Sequence, residues 1–307
     1  MADYHDGEVT VQRRARLAEQ ARFSLGGIGE TVPEVAAAFL AEQPMIVLGG
    51  ADGAGRIWAT QLTGEPGFLK VPDPRTLTID ALPGHTDPLG ELRERPSPVG
   101  MIAIEPATRR RMRINGRAVP TGEGLRVDLD QVIANCPKYL QKRRHRFLDP
   151  GAGGTAAGPG PVTDGTTLTP AQRETIRRAD TFFVATASDR GDADASHRGG
   201  NPGFVRVLSP TVLRWPDYTG NAMFLTLGNL ELNPAAGLLF PGWDTGTALH
   251  LTGTARTVWS PAPGEDPFPP GVRRLVEFTV AAVREVARAT PLRWSEPAFS
   301  RFNPPVA

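Results

Sequence analysis

The chain of 307 residues has a single cysteine, Cys136, and only three tyrosines. One cysteine excludes an internal disulfide and any multi-cysteine zinc or iron–sulfur site, and no metal site is expected. No apolar run approaches the roughly 20 residues of a membrane-spanning helix. The opening MADYHDGEVTVQRR lacks the apolar core of a secretion signal, so a soluble, cytoplasmic protein is expected. Neither sign of charge predominates: 34 basic against 33 acidic residues leave a net charge of +1. That balance gives no global case for nucleic acid or an anionic membrane as partner. The basic runs TRRRMR (108–113) and QKRRHRF (141–147) have almost no interleaved aromatics and read as solvated faces. What the chain does have is glycine (34) and proline (30), a composition suited to short strands and many turns.

Shifted against itself by 136 positions, the sequence repeats. Gly64, Pro66, Gly67, Phe68 and Val71 fall on Gly200, Pro202, Gly203, Phe204 and Val207. The same shift sets Met45–Leu48 on Thr181–Val184 and Met101–Ile104 on Gly237–Phe240. One residue of slippage beyond that point sets Asn115-Gly116 on Thr252-Gly253. So long a period is that of a whole domain copied once, not of a solenoid. The run PGAGGTAAGPGPVTDGTT (150–167) has almost nothing apolar to bury and reads as a linker. The expected organisation is therefore an N-terminal copy (1–149), the linker (150–167) and a C-terminal copy (168–307).

Each copy reads mostly as strand. In the second, TFFVATA, GFVRVL, GLLF, ALHLTGTARTV and RLVEFTVAAVREV are apolar, alternating or β-branched runs. The last also carries helix formers and is assigned to strand on its β-branched content. Met223, Leu225, Leu227 and Leu230 share one face of a short helix, with Asn221 as its predicted cap and Pro234 as its stop. Antiparallel strands plus a short helix suggest a closed barrel, which removes exposed sheet edges.

The run ASHRGGNPGFVRV, followed in order by WPDYTGN, TLGNLELNP, GLLF and LHLTGTA, resembles the flavin-nucleotide-binding split-barrel family that includes pyridoxamine 5'-phosphate oxidase. The likeness is good over roughly 170–260; the first copy keeps the same skeleton weakly, and NCPKYLQ (135–141) is similar to an element of tandem members. The resemblance implies a mainly β chain of two tandem split β-barrels forming an intramolecular pseudo-dimer, with FMN in the groove between them. It also implies a flavin-dependent oxidoreductase acting on a small molecule, with a pyridine nucleotide as candidate donor, in a monomeric pseudo-dimer or homodimer. The alternatives are a flavin carrier or sensor, or a barrel whose groove holds haem (His197 or His250 as ligand) or a deazaflavin.

The candidate contacts follow from the matching segments. Arg198 and Arg206 would supply charge to a phosphate, and Gly220 and Asn221 would bring it to a helix start. Thr226 and Asn229 lie further along that helix, while Asp217 and Tyr218 precede it. Ser196, His197, Arg198 and Gly199 would lie along the ring, with His197 a proton donor or handler; read alone, His197 is an ordinary strand residue. Cys136 has Lys138 and further basic neighbours that favour a thiolate, although a structural cysteine is the commoner case. Lys138 and Tyr139 would reach the second copy's groove if the copies pair. In the weak copy Ser196-His197-Arg198 becomes Thr60-Gln61-Leu62, and Asn221 becomes His85, so one principal site is expected.

Overall fold

A computed structural model describes residues 3–148, 159–264, 268–269 and 271–306. Ahead of the first sheet come α1 (Asp6–Arg14) and α2 (Ala18–Leu25). The first domain then runs β1 (Ile28–Gly29), α3 (Glu34–Ala41), β2 (Met45–Ala51), β3 (Ile57–Thr63), β4 (Leu69–Asp73) and β5 (Thr76–Ile79). After a 3₁₀ turn (Gly90–Arg93) it continues with β6 (Ser97–Glu105), β7 (Arg110–Pro120), β8 (Leu125–Ala134) and β9 (His145–Phe147). The second domain runs β10 (Val162–Gly165), α4 (Pro170–Arg178), β11 (Thr181–Ala187), β12 (Ala193–Gly199), β13 (Arg206–Ser209) and β14 (Val212–Pro216). It ends with α5 (Leu225–Leu232), β15 (Ala235–Pro241), β16 (Ala248–Val258), β17 (Leu275–Val286) and β18 (Leu292–Trp294).

The two sheets have one topology. The first is ordered β3-β2-β6-β7-β8-β5-β4 with β1 added on β8; the second is β12-β11-β15-β16-β17-β14-β13 with β10 added on β17. Each path begins and ends on strands that are consecutive in the chain, so each curled sheet is split along that seam. The shared turn at the seam explains the strongest repeat. Gly67 and Gly203 have φ of +99° and +92°, a region that side chains disfavour. Their N–H groups bind equivalent carbonyls, of Ala41 and Arg177.

The pairing also moves one equivalence. Gly49 faces Gly100 across β2 and β6, while Ala185 faces Gly237 across β11 and β15. Gly100 therefore matches Gly237, and the slip lies before β6 rather than after it. The bulge between Asn115 and Gly116 recurs between Thr252 and Gly253, fixing β7 on β16. Within the expected linker, residues 150–158 lie outside those described, and Val162–Gly165 is strand β10 rather than free chain.

Burial shows how the domains meet. β8 alternates buried and exposed residues, as a strand with one wet face should. Every residue of β11 is buried. Phe182 and Val184 enter the second barrel's core, while Phe183, Ala185 and Ala187 enter a third cluster with Met45, Val47, Ile102 and Leu239 that joins the barrels. At this contact a Cβ on Gly100 would overlap the backbone of Asp194, and one on Gly237 that of Trp58. Asp194 and Trp58 are themselves equivalent, so the two glycines make a matched pair of close crossings. In the second core Phe182 stacks on Phe240 at 5.1 Å and meets Trp215 edge-on at 5.0 Å. The first barrel has Ile46, Ala103 and Ile79 at these positions.

Candidate functional site

Two grooves, related by the pseudo-twofold, lie where the barrels meet. The principal groove joins a small cavity over the start of α5 to one between the domains. Arg113, Arg198, Gly220 and Asn221 line both.

The first domain supplies β7. Met112 points into its barrel core, so the alternation of the strand turns Arg111 and Arg113 to the groove. Arg113 binds Asp194 at 3.1 Å and donates to Ser196 Oγ at 2.8 Å. Arg111 donates through Nε to the Cys136 carbonyl at 2.8 Å and through its terminal nitrogen to His197 Nδ1 at 2.9 Å. With Nδ1 accepting, the His197 proton sits on Nε2, which is buried and has no partner among the described residues. Burial first, and then Arg111 and Arg198, hold His197 well below its usual pKa, so the ring is neutral. Burial and the neighbouring Arg113 and Arg198 also bring Arg111 down to about 10.

The second domain supplies the opposite wall. Arg198 meets Asp217 at 3.4 Å, and Arg274 holds the other oxygen of Asp217 at 2.7 Å. Tyr139 crosses from the first domain: its hydroxyl donates to the Thr219 carbonyl at 3.1 Å, and its ring packs on Tyr218 at 5.0 Å. Gly199 ends β12 where the Tyr139 carbonyl passes too close for a Cβ. Lys138 and the exposed Cys136 line the same cavity.

The start of α5 is unusual. Asn221 does not cap it; its Oδ1 accepts from Met223 N in a turn before the helix. The cap residue is Phe224, in the left-handed region like Ala222, and no side chain satisfies the first turn. Two left-handed non-glycine residues are a strain that the surroundings must impose. The N-terminal arm imposes it. Gln12 Nε2 donates to the Met223 carbonyl at 3.1 Å and Ser24 Oγ to that of Asn221 at 2.6 Å. α1 also packs on α5, and buried Glu8 lies within electrostatic reach of Asp194 and Arg113. Burial lifts the Glu8 carboxyl to about 8.

Some candidates lie elsewhere. Arg206 is on the exposed side of β13 and lines neither cavity, because alternation turns it outward. Asn229 is buried between Thr186 and His5, at 3.0 Å from each, on the face of α5 that α1 covers. Thr226 lines the groove but gives its hydroxyl to Asp194. The basic runs are not merely solvated: Arg111 and Arg113 line the groove, and Arg143 is buried against Asp180 at 2.8 Å. Strand alternation in RRRMR was the available signal for the first two. Nothing local pointed to Asp194 or to Glu8. His197 and His250 lie in opposite grooves.

The family model described as pyridoxamine 5'-phosphate oxidase matches residues 168–295. No curated protein matches the chain. Among solved structures, a pyridoxamine 5'-phosphate oxidase-related, FMN-binding protein of Nostoc punctiforme is 15% identical, covering 44% of this chain and 99% of its own, with a TM-score of 0.29. An FAD-binding protein of Mycobacterium smegmatis is 13% identical over 40% of this chain and 99% of its own, with a TM-score of 0.29. HupZ of Group A Streptococcus is 14% identical over 37% of this chain and 90% of its own, with a TM-score of 0.30. The matched residues span β11 to β18 and include the second domain's wall of the groove. Residues 168–295 are thus similar to the pyridoxamine 5'-phosphate oxidase family.

Proposed function

We propose that the principal groove binds FMN and that the protein is a flavin-dependent oxidoreductase. The observation that carries this reading is the uncapped start of α5, held open beside Arg113 and Arg198. Unsatisfied N–H groups, the positive helix end and two guanidinium groups form a seat for a phosphate. Each arginine already has a carboxylate partner, Asp194 for Arg113 and Asp217 for Arg198, which holds its guanidinium at the groove wall. The donor-rich wall suits the acceptor edge of an isoalloxazine: Ser196, His197, Arg111 and Lys138 line it. Tyr139 and Tyr218 form an aromatic flank. When bound, FMN supplies the electron-transfer chemistry; the protein positions the ring and sets the charge around it.

Absorbance of freshly purified protein, with or without added FMN, tests the reading. Flavin bands that a reduced pyridine nucleotide bleaches anaerobically are the expected result. A Soret band, or no flavin uptake, overturns flavin binding. Uptake without reduction by any donor leaves a carrier and overturns the oxidoreductase assignment.

A further inference from the structure

The second groove keeps a small cavity, and its chemistry is inverted rather than lost. It is lined by Thr60–Thr63 of β3, the segment 81–87 and β16. Through the shared bulge, Ala248 and His250 stand where Arg111 and Arg113 stand in the principal groove. Leu62 replaces Arg198 and Asp87 replaces Met223. A groove walled by arginines has become one in which Leu62, Ala248, Ala81 and Leu82 alternate with threonines and Gln61 around two principal acceptors, Asp87 and His250.

Those acceptors are held in place. Asp87 accepts hydrogen bonds from the Thr60 hydroxyl and, at 2.8 Å, from the Leu89 N–H, so a carboxylate is fixed in the turn just before the 3₁₀ segment. It forms no ion pair among the described residues. Its charged neighbours are His250 and Arg284; the guanidinium of Arg284 is taken by Asp164 at 2.7 Å and by the Thr86 carbonyl. His250 donates from Nδ1 to the Ala59 carbonyl at 2.8 Å. Its Nε2 therefore carries a lone pair, on a residue that lines the cavity. Burial lifts the Asp87 carboxyl and depresses His250, the signature of an acid without its counter-charge beside a neutral imidazole.

We infer that the second groove binds a small organic cation with a flat apolar body, an amidine or protonated amine whose N–H groups seat on Asp87 and His250. Such a ligand brings the missing positive charge to a carboxylate already fixed by two donors, and its apolar part meets the leucine and alanine wall. The inference does not rest on the flavin reading, because no residue is shared between the two grooves.

Benzamidine is the probe, with neutral benzamide and anionic benzoate as shape-matched controls, titrated into the full chain and followed by calorimetry. Saturable benzamidine binding is expected, at least tenfold tighter than benzamide, with none for benzoate. Asp87→Asn should weaken it at least tenfold. Gln61→Lys, which brings a positive charge to the cavity wall without touching the bonds of Asp87, should weaken it similarly. Saturating FMN should leave it unchanged. Absent benzamidine binding, equal binding of benzamide, indifference to both substitutions, or displacement by FMN would each overturn the inference.

Discussion

The two grooves are built from the same strands in the same order, yet place opposite charge beside the helical segment above them. In the principal groove α5 starts uncapped beside Arg113 and Arg198. In the second, Asp87 places a carboxylate on the Leu89 N–H at the equivalent turn, and the arginines become His250 and Leu62. One copy sets guanidinium groups beside its helix start; the other sets a carboxylate there. The difference teaches that a duplicated fold divides its sites by a few charge substitutions. The shared core and the glycine crossings stay, because both barrels need them to pair.

The pairing itself is the first thing to break. Gly100→Val or Gly237→Val drives a side chain into the opposing backbone, and overpacking of this kind costs about 1–3 kcal/mol or more. A large drop in the thermal midpoint is expected for both; if only one matters, the pseudo-twofold is not the organising feature.

The grooves' contrast in charge is next. Arg198→Ala should weaken FMN binding about 10- to 100-fold, because a hydrogen bond to a charged group contributes roughly 1.5–3 kcal/mol. Its counterpart Leu62→Ala should leave FMN affinity within about twofold, whatever it costs the first barrel's core, since a neutral residue contributes no such bond. Equal losses in fluorescence titrations of the two variants would remove the distinction.

A smaller effect tests the N-terminal arm. The folded state holds Glu8 protonated up to about pH 8, whereas the unfolded chain releases that proton near its ordinary value. In this window the native state binds the extra proton, so the Glu8 contribution to stability falls as pH rises from about 5 to 8. The limiting slope is about 1.4 kcal/mol per pH unit for one proton. Urea unfolding of Glu8→Gln beside the native chain should remove that component of the slope; identical pH profiles would contradict the burial of Glu8. The mildest effect concerns Cys136, exposed on the cavity wall. Bound FMN should slow its alkylation several-fold, and an unchanged rate would place the flavin away from the first domain's wall.

Much of this was legible in the sequence, for reasons that particular residues show. Gly67 and Gly203 occupy a backbone conformation that forbids ready replacement, so the repeat survived there. The aromatic core around Phe182 has Ile46 and Ala103 as counterparts, which preserves the alternation of the strand while dimming the similarity. Arg111 and Arg113 sat in plain view in a basic run, and only the facing of β7 separates them from a solvated strand. The capping role predicted for Asn221 failed because the arm holds the segment before α5 in left-handed backbone. That constraint comes from residues about 200 positions away, beyond any local pattern.

The most direct measurement is the number of FMN molecules bound per chain at saturation. One tight equivalent is predicted, abolished by Arg198→Ala combined with Arg113→Gln. Two equivalents per chain, or one that survives that double substitution, would contradict the division of the two grooves.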